Sequence, residues 1–469
     1  MTNESFDASP RTGGALLACL GLGVVAGGAL GAVRTREAAL HLLAKNRALL
    51  EAGIPALPGA GHLETLGSWA PAGAGAVFFG LSLGLGGAAL LAAAAGLLGA
   101  LPNSWGRRLP WAAALAPALL YAWGRDAGLA AAALAPALAA GRWGAGLRPS
   151  RQGLLPLVCA LVALLGLVPW ARAPEGAFTR FRDRVLLARP TGPALALDTF
   201  YYRWTLYPAE AIKPLRARSQ PTAWVDPGVD DREAACRDLA RLGAWCVDRA
   251  EAADARLLPG PGGSRLQAGG AELAWPRDPA GQREAWARLS DRHDPARPLR
   301  RTTAAALFSG CPLVLAGLLG ALAVWLGSWM PTEPQRRLGA LVCALLLAGL
   351  VAAVSRPPPW LARVRAELAA PQRPDPVRVR EGLAAARPAE RFYAARAAGR
   401  LGPGWEGDLV RALGDPVINV RYGAAEALGR IGTPEARRAL RRILDGEADW
   451  YVKERAWEGL RRLGWRPGP

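Results

Sequence analysis

The sequence predicts a mainly α-helical membrane protein: a bundle of six or seven transmembrane helices, a small soluble α+β insert and a C-terminal α-solenoid. Long uncharged apolar runs, one polar stretch of mixed strand and helix character, and a repeat near the end of the chain lead to this prediction. Hydrophobic residues make up 51% of the 469 residues and charged residues only 20%. An average soluble domain carries roughly 25% charged residues, so this composition favours membrane spans.

The apolar runs have the length of membrane spans, because about 20 apolar residues in a helix cross a hydrocarbon core about 30 Å thick. Residues 1–171 are the first transmembrane region, with spans at about 13–33, 72–101, 109–123, 127–141 and 154–171. Residues 304–354 supply two more spans, at 304–327 and 338–354. Arg125-Asp126 interrupts the stretch 109–141. Since a charged pair inside a bilayer is costly, two short spans are favoured there, giving seven spans, with six as the alternative.

The spans suit anchoring and assembly better than transport. The clear apolar runs contain no Asp, Glu, Lys, Arg or His, the groups that proton relays and ion pathways normally need. Gly23, Gly27 and Gly31 lie four residues apart, which places small residues on one stripe of a helix. Such stripes let two helix backbones approach closely, and packing within one bundle is the simpler interpretation than a dimerisation face.

Charge and flanking residues bear on location and on partners. The net charge of +19 comes mostly from arginines, which occur in every polar segment rather than on one face, so nucleic-acid binding is not expected. Lys and Arg near the span ends favour placing both polar domains in the cytoplasm, at a bacterial inner membrane. The bilayer is therefore one expected partner.

Residues 172–303 are predicted to form the soluble α+β insert. Asp230-Asp231 precede an amphipathic run and predict a helix start, with Gly243 as its stop. The other expected elements are a helix from Pro208 through Leu215, strands at 222–225, 244–247 and 255–258, a hairpin at 264–275 turning at Gly269-Gly270, and a closing helix at 280–289.

An aromatic cluster in the insert is its most unusual local feature. Tyr201, Tyr202, Arg203 and Trp204 lie in one run between Thr199 and Tyr207. Packing on the domain core, or rings lying at the headgroup level, is the simpler interpretation. The alternative is a partner-binding surface, because Tyr, Trp and Arg are enriched in binding hot spots. These four residues are therefore candidate partner contacts.

Cysteine and histidine usage predicts no metal site. Cys236 and Cys246 are the cysteines in polar sequence, and they are expected on a helix and on the strand after it. Two separate buried thiols are the simpler interpretation, and a disulfide, which requires an oxidising compartment, is the alternative. No CxxC pair occurs, and the three histidines are scattered. No motif of a hydrolase, metalloprotease, P-loop or kinase is found, so no catalytic, cofactor-binding or metal-binding residue is predicted.

After a linker and helix at 355–388, residues 389–469 carry a repeat. Arg391-Phe392-Tyr393-Ala394-Ala395 aligns with Arg421-Tyr422-Gly423-Ala424-Ala425, and the run from Val452-Lys453 aligns once more. Gly402, Gly432 and Gly464 end the first helix of each unit, and Pro434 starts a second helix. A period of this length is typical of stacked units that share one core.

The run Val420-Arg421, Ala424-Ala425, Ala427-Leu428-Gly429, Ile431-Gly432, Pro434-Glu435 resembles the HEAT-like repeat of the phycobilisome-lyase type. The whole chain resembles a bacterial multi-pass membrane protein with a HEAT-repeat tail. The resemblance implies a protein-binding scaffold. No residue marks a bilin site, so the lyase activity of some members is not expected.

Together these observations predict a membrane-anchored scaffold or adaptor that binds a protein partner through its repeats, and an enzyme is not favoured. Arg391, Arg421 and Lys453, near the start of the aligned repeats, are the candidate contacts there. The alternative is a membrane enzyme or a transport-complex component with a site between the helical bundle and the insert.

Overall fold

The protein is described from a computed structural model. The described residues are 10–99, 108–124, 126–146, 179, 182–187, 192–261, 263–268, 270–292, 294, 296–355, 358–369, 374–446 and 449–466. Residue contacts divide the chain into two compact units. The apolar unit comprises Met1–Thr35, Ala72–Arg180 and Pro298–Arg356, and the polar unit comprises Arg36–Pro71, Phe181–Arg297 and Pro357–Pro469. The predicted insert and the predicted repeats thus belong to the same compact unit.

The apolar unit is helical in its described part. Helix α1 (Pro10–Glu51) begins in this unit. A short helix α2 (Leu63–Gly67) of the polar unit precedes the next apolar helices. These are α3 (Ala70–Phe79), α4 (Leu85–Gly99), α5 (Leu109–Trp123) and α6 (Ala127–Gly146). α5 ends at Trp123 and α6 begins at Ala127, so they are separate helices.

Four helices in the described part of the chain are long and apolar enough to cross a membrane: Gly14–Glu51, Ala70–Leu98, Arg297–Gly327 and Glu333–Val351. Leu109–Trp123 is a shorter apolar helix. The predicted span at 154–171 lies outside the described residues. The first helix exceeds its predicted span at 13–33, because it continues without a break to Glu51.

The glycine stripe of α1 packs against a neighbouring helix segment of the same unit. A Cβ atom added to Gly27 would lie 2.6 Å from the Cα of Gly84, closer than real Cβ atoms approach. Gly84 ends a π-helical turn, Gly80–Gly84, that joins α3 to α4. The predicted use of the stripe for packing within the bundle is therefore confirmed.

The insert forms a mixed five-stranded sheet with strand order β2-β1-β3-β4-β5. Its strands are β1 (Thr222–Val225), β2 (Trp245–Cys246), β3 (Ala255–Gly260), β4 (Gly263–Ala268) and β5 (Ala271–Trp275). β1 runs parallel to β2 and β3, and β3, β4 and β5 are antiparallel neighbours. The predicted strands and the hairpin are confirmed.

The insert also contains three helices: α7 (Pro193–Ile212), α8 (Arg232–Arg241) and α9 (Pro279–Arg292). Asp231 caps α8 as predicted, its side chain accepting the Ala234 N–H at 3.0 Å. The predicted helix start at Pro208 is wrong, because Pro208 lies inside α7. An internal proline costs a helix about 3 kcal/mol, and burial of Tyr202, Leu206 and Tyr207 on one face of α7 offsets it.

Helix α10 (Arg297–Ala305) continues through a π-helical turn, Ala306–Gly310, into α11 (Cys311–Gly327), and α12 (Glu333–Ser355) follows. The polar unit resumes with α13 (Pro359–Val364), which a π-helical turn at Arg365–Ala369 follows. The remaining helices are α14 (Pro376–Leu383), α15 (Pro388–Leu401), α16 (Glu406–Ala412), α17 (Ile418–Ile431), α18 (Pro434–Gly446) and α19 (Trp450–Arg462).

These last helices form the predicted repeats. The helices that carry the aligned sequence, called first helices here, are α15, α17 and α19. The helices that alternate with them, called second helices, are α14, α16 and α18, and α14 comes before α15 in the chain. Gly432 ends α17 with a φ of 71°, the left-handed conformation predicted for this stop. A Cβ atom at Gly429 would lie 2.8 Å from the Cα of Gly459, so α17 and α19 are in close backbone contact.

Candidate protein-interaction site

Helix α7 of the same chain packs against two of the first helices of the repeats, α17 and α19. Asp198 of α7 accepts the backbone N–H of Ile418 at 3.1 Å and the side-chain amide of Asn419 at 3.0 Å, at the start of α17. All three residues are buried. Burial raises the pKa of Asp198 to about 6, although the hydrogen bonds from Ile418 and Asn419 act in the opposite direction.

A stack of tyrosines continues this contact. The hydroxyl of Tyr202 donates to Asn419 Oδ1 at 2.8 Å, and its ring stacks on Tyr451 with centroids 4.4 Å apart. Tyr451 stacks in turn on Tyr422 at 4.3 Å, and the guanidinium of Arg455 lies 4.8 Å from the centroid of the Tyr422 ring. Aromatic stacking of this kind adds to the free energy of burial, so the contact fixes α7 to the repeats.

The aromatic cluster singled out in the sequence is therefore mostly internal. Tyr202 is only 2% exposed, so it contacts its own repeats and offers nothing to another protein. Tyr201 and Trp204 are half-buried, and Tyr201 packs against the core of the repeats. Arg203 is exposed. Core packing, the simpler interpretation, describes Tyr202 better than partner binding does.

The candidate arginines of the repeats tie one repeat to the next. Arg391 forms a bidentate ion pair with Asp415, at 2.6 and 3.1 Å, and donates to the Ala385 carbonyl at 3.0 Å. Arg421, at the equivalent position one repeat later, donates to the Asp415 carbonyl at 2.8 Å and pairs with Asp449. The spacing that identified these residues reflects a repeated internal link.

Lys453 is also an internal residue. Its side chain is buried, and its Nζ atom lies close to Gly59, at 3.1 Å from the position that a Cβ atom would take there. In the next turn of α19, Trp457 is fully buried and donates from Nε1 to the Ser219 carbonyl at 3.1 Å. Helix α19 is thus held by residues from two earlier segments of the polar unit.

A buried ionic cluster around Asp254 joins α1 to residues 218–222 of the polar unit. Asp254 accepts hydrogen bonds from Lys45 at 3.2 Å, from the backbone N–H of Thr222 at 2.9 Å and from Arg218, and it contacts His41 Nε2 at 2.9 Å. Burial alone would raise the pKa of Asp254, but Lys45 and Arg218 hold that pKa well below its usual range. Every polar atom of the carboxylate has a partner, which is typical of a structural ion cluster.

The space beside this cluster is too small for a substrate. The cavity lined by Lys45, Glu210, Lys213 and Glu454 holds about 30 Å³, which is room for one or two water molecules. Lys213 pairs with Glu454 at 3.0 Å and with Glu210 at 3.2 Å. Within the described ranges, no group of three or more His, Cys, Asp and Glu side chains is placed to hold a metal ion.

The apolar unit contains a cavity of about 350 Å³. Its lining is almost entirely apolar, with glycines and alanines from α1, α4 and α6. Tyr121 and Thr302, at its edge, are hydrogen-bonded to each other at 2.6 Å. Among its described lining residues none is charged, and the hydroxyls of Tyr121 and Thr302 are its side-chain hydroxyl groups.

The second helices of the repeats, in contrast, leave two open grooves. The first lies between α14 and α16 and measures about 340 Å³, and the second lies between α16 and α18 and measures about 350 Å³. The first is lined by Arg380, Leu383, Ala384, Arg391, Asp408, Arg411, Ala412, Asp415 and Val420. The second is lined by Val410, Leu413, Gly414, Ala439, Arg442, Ile443 and Gly446. Both volumes fall at the lower end of the range for ligand pockets, about 300–1,000 Å³.

This surface of the repeats was not predicted from the sequence. A signal was present, because Arg437, Arg438, Arg441 and Arg442 form two adjacent pairs one helical turn apart in α18. Residues with that spacing share one face of a helix. The arginine pairs of α18 were not singled out because arginines occur in every polar segment of the chain.

The structure brings Cys236 and Cys246 together, with the two sulfur atoms at bonding distance, 2.11 Å. The bond joins α8 to β2. Of the two alternatives left open for these cysteines, the structure has the disulfide.

Comparison with known proteins bears on the repeats alone. Residues 378–461 match the family model for HEAT repeats, a range that runs from α14 into α19 and includes both open grooves. No curated protein and no solved structure matches the chain. The match supports HEAT-like repeats in the C-terminal region of this chain.

Proposed function

We propose that this protein is a membrane-anchored scaffold that binds a protein partner through the second helices of its HEAT repeats. The observation that carries the proposal is the difference between the two faces of the repeats. Residues of the same chain, including Asp198 and Tyr202, occupy the first helices. The second helices keep two grooves of the size that a partner's side chains fill.

Membrane anchoring is supported by the four helices that are long and apolar enough to cross a bilayer. A bacterial inner membrane remains the proposed location. The apolar unit serves as the anchor, and the polar unit carries the interaction site. The alternative function, a membrane enzyme or transport component, has less support, because the cavities of the two units lack free catalytic groups in their described linings.

Two observations disagree on the side of the membrane that the polar unit faces. Lys and Arg near the span ends favour the cytoplasm for the polar domains. That rule loses force next to long polar domains, which are translocated largely regardless of charge. The Cys236–Cys246 disulfide favours an oxidising compartment, because such bonds rarely persist in a reducing cytosol. We propose that the polar unit faces the oxidising side.

Site-specific photo-crosslinking in cells tests the scaffold proposal. A photoreactive amino acid at position 438, on the exposed face of α18, is expected to capture a discrete partner protein. The matched control places the same residue at position 283, an exposed arginine of α9. Identical products at both positions, or no product at position 438, would refute the proposal. Deleting the repeats is a poorer test, because it exposes the buried face of α7.

A further inference from the structure

The arginines of α18 differ from most others in the repeats. Arg437, Arg438, Arg441 and Arg442 are all exposed. Among the described residues, none of the four forms an ion pair with a carboxylate. Arg391 and Arg396, in contrast, pair with Asp415 and Glu426 at 2.6 and 3.0 Å. Within the described structure the four arginines of α18 thus lack the carboxylate partners that Arg391 and Arg396 have on α15.

This arrangement has a cost that a bound anion would remove. Arg437 and Arg441 lie one turn apart, as do Arg438 and Arg442, and like charges at this spacing destabilise a helix. Within the described structure only weak contacts compensate: Arg437 donates to the Gly432 carbonyl at 3.1 Å, and Arg441 lies 5.7 Å from the centroid of the Trp465 ring.

The groove next to these arginines has an apolar floor, which indicates that a ligand also carries an apolar group. Arg442 is the charged residue in the lining of the second groove, whose other members include Val410, Leu413 and Ile443. In the first groove, Arg391 and Arg411 are already paired with Asp415 and Asp408. The second groove thus combines an apolar floor with an unneutralised basic rim.

We propose that the groove between α16 and α18, with the arginines of α18, binds an acidic segment of a partner protein in which carboxylates flank an apolar side chain. The inference rests on the proposed scaffold function and names the chemistry of its partner. Carboxylates suit the arginines because the guanidinium group binds them in bidentate fashion. An apolar anchor suits the groove floor, which a phosphate backbone or a lipid headgroup would leave unfilled.

The test measures binding of synthetic peptides to the full-length protein in a non-ionic detergent, by fluorescence anisotropy. The probe is an acidic peptide in which glutamates flank leucines, and the comparison peptide has glutamine at each glutamate position. The acidic peptide is expected to bind at least about tenfold more tightly, since that ratio corresponds to about 1.4 kcal/mol from a few exposed charge pairs. Added salt is expected to weaken this binding but not that of the glutamine peptide.

Two double variants locate the site. R441E/R442E is expected to lose at least about tenfold in affinity for the acidic peptide. The control R277E/R283E makes the same change of net charge at exposed positions before and within α9, and it is expected to bind like the wild type. Equal loss in both variants, or the absence of any salt effect on the wild type, would show that α18 is not the site.

The remaining outcomes separate this inference from the scaffold proposal. Binding of the glutamine peptide as tightly as the acidic one overturns the acidic partner, while a crosslinked protein at position 438 still upholds the scaffold. Displacement of the acidic peptide by anionic lipid vesicles, or by single-stranded DNA, at lower concentration than by unlabelled peptide also overturns it, because the ligand would then be a lipid or a nucleic acid.

Discussion

Asp198 caps a helix that lies 220 residues further along the chain, since its carboxylate accepts the backbone N–H of Ile418 at 3.1 Å. A helix start leaves backbone N–H groups without intrahelical partners. The side chain that accepts from one of these groups usually belongs to the residue just before the helix. Here the cap comes from α7, so folding of α17 and docking of α7 are coupled. The HEAT repeats of this chain are stabilised by a segment outside the repeats.

Replacing Asp198 by alanine is expected to destabilise the start of α17 by about 1–3 kcal/mol, because two buried donors lose their acceptor. Amide hydrogen exchange at Ile418 and Asn419 in the full-length protein measures this change. The control is Asp375→Ala, which removes the exposed cap of α14, where Asp375 accepts the Val377 N–H at 2.9 Å. The control is expected to change exchange in α14 only. Unchanged exchange at Ile418 in Asp198→Ala would contradict the coupling.

The raised pKa of Asp198, about 6, predicts a pH dependence of stability. The folded state binds this proton more tightly than the unfolded state, in which the pKa of an aspartate is about 3.9. The contribution of Asp198 to the free energy of unfolding is therefore fully present below that pH. It is lost as the pH rises through about 6, and the loss amounts to about 3 kcal/mol. The difference in unfolding midpoint between wild type and Asp198→Asn should therefore change between pH 4 and 7. A constant difference across this range would show that the pKa is not raised.

The Asp254 cluster predicts a different response. Asp254→Asn leaves Lys45 and Arg218 as poorly compensated cations, and breaking a buried ion pair in this way costs about 3–5 kcal/mol. Because the folded-state pKa of Asp254 is lowered, its contribution is present at neutral pH and is lost as the solution becomes acidic, below the range in which Asp198 acts. Urea unfolding of the polar unit, followed by tryptophan fluorescence, measures the loss at neutral pH.

A surface ion pair of the same unit is the control for that experiment. Arg249 and Glu51 lie 3.5 Å apart and are both more than half exposed. Arg249→Ala is expected to cost less than about 1 kcal/mol, because solvent screens exposed pairs. Equal losses in Asp254→Asn and Arg249→Ala would mean that the Asp254 cluster is solvated rather than buried.

Labelling with a membrane-impermeant maleimide checks the proposed sidedness. The variant used keeps Cys236 and Cys246 and carries serine at the other four cysteines, which are Cys19, Cys159, Cys311 and Cys343. On intact bacterial cells, labelling is expected only after treatment with a reductant, because the disulfide blocks both thiols. Labelling that requires cell lysis would place the polar unit in the cytoplasm.

Local structure was predictable from the sequence wherever a residue acts on its neighbours. Asp231 as a cap and Gly432 as a stop were identified this way, and the structure has both. The docking of α7 was not predicted, because nothing near Asp198 in the sequence specifies that its partner is Ile418. The length of α1 was missed for a related reason. Polar residues such as Lys45 are typical of a loop after a membrane span. The sequence around Lys45 does not specify that Asp254 lies beside it.

Replacing Gly429 or Gly407 by alanine is expected to change the free energy of unfolding in opposite directions. In Gly429→Ala the new methyl group would lie 2.8 Å from the Cα of Gly459, so α17 and α19 must separate. Overpacking of this kind costs about 1–3 kcal/mol. In Gly407→Ala the new methyl group meets nothing within 4 Å, and alanine in place of a helical glycine stabilises by about 0.5–1 kcal/mol. Urea unfolding of the full-length protein compares the two. A loss of stability in both variants would mean that glycine is needed for its backbone freedom rather than for the close contact of α17 with α19.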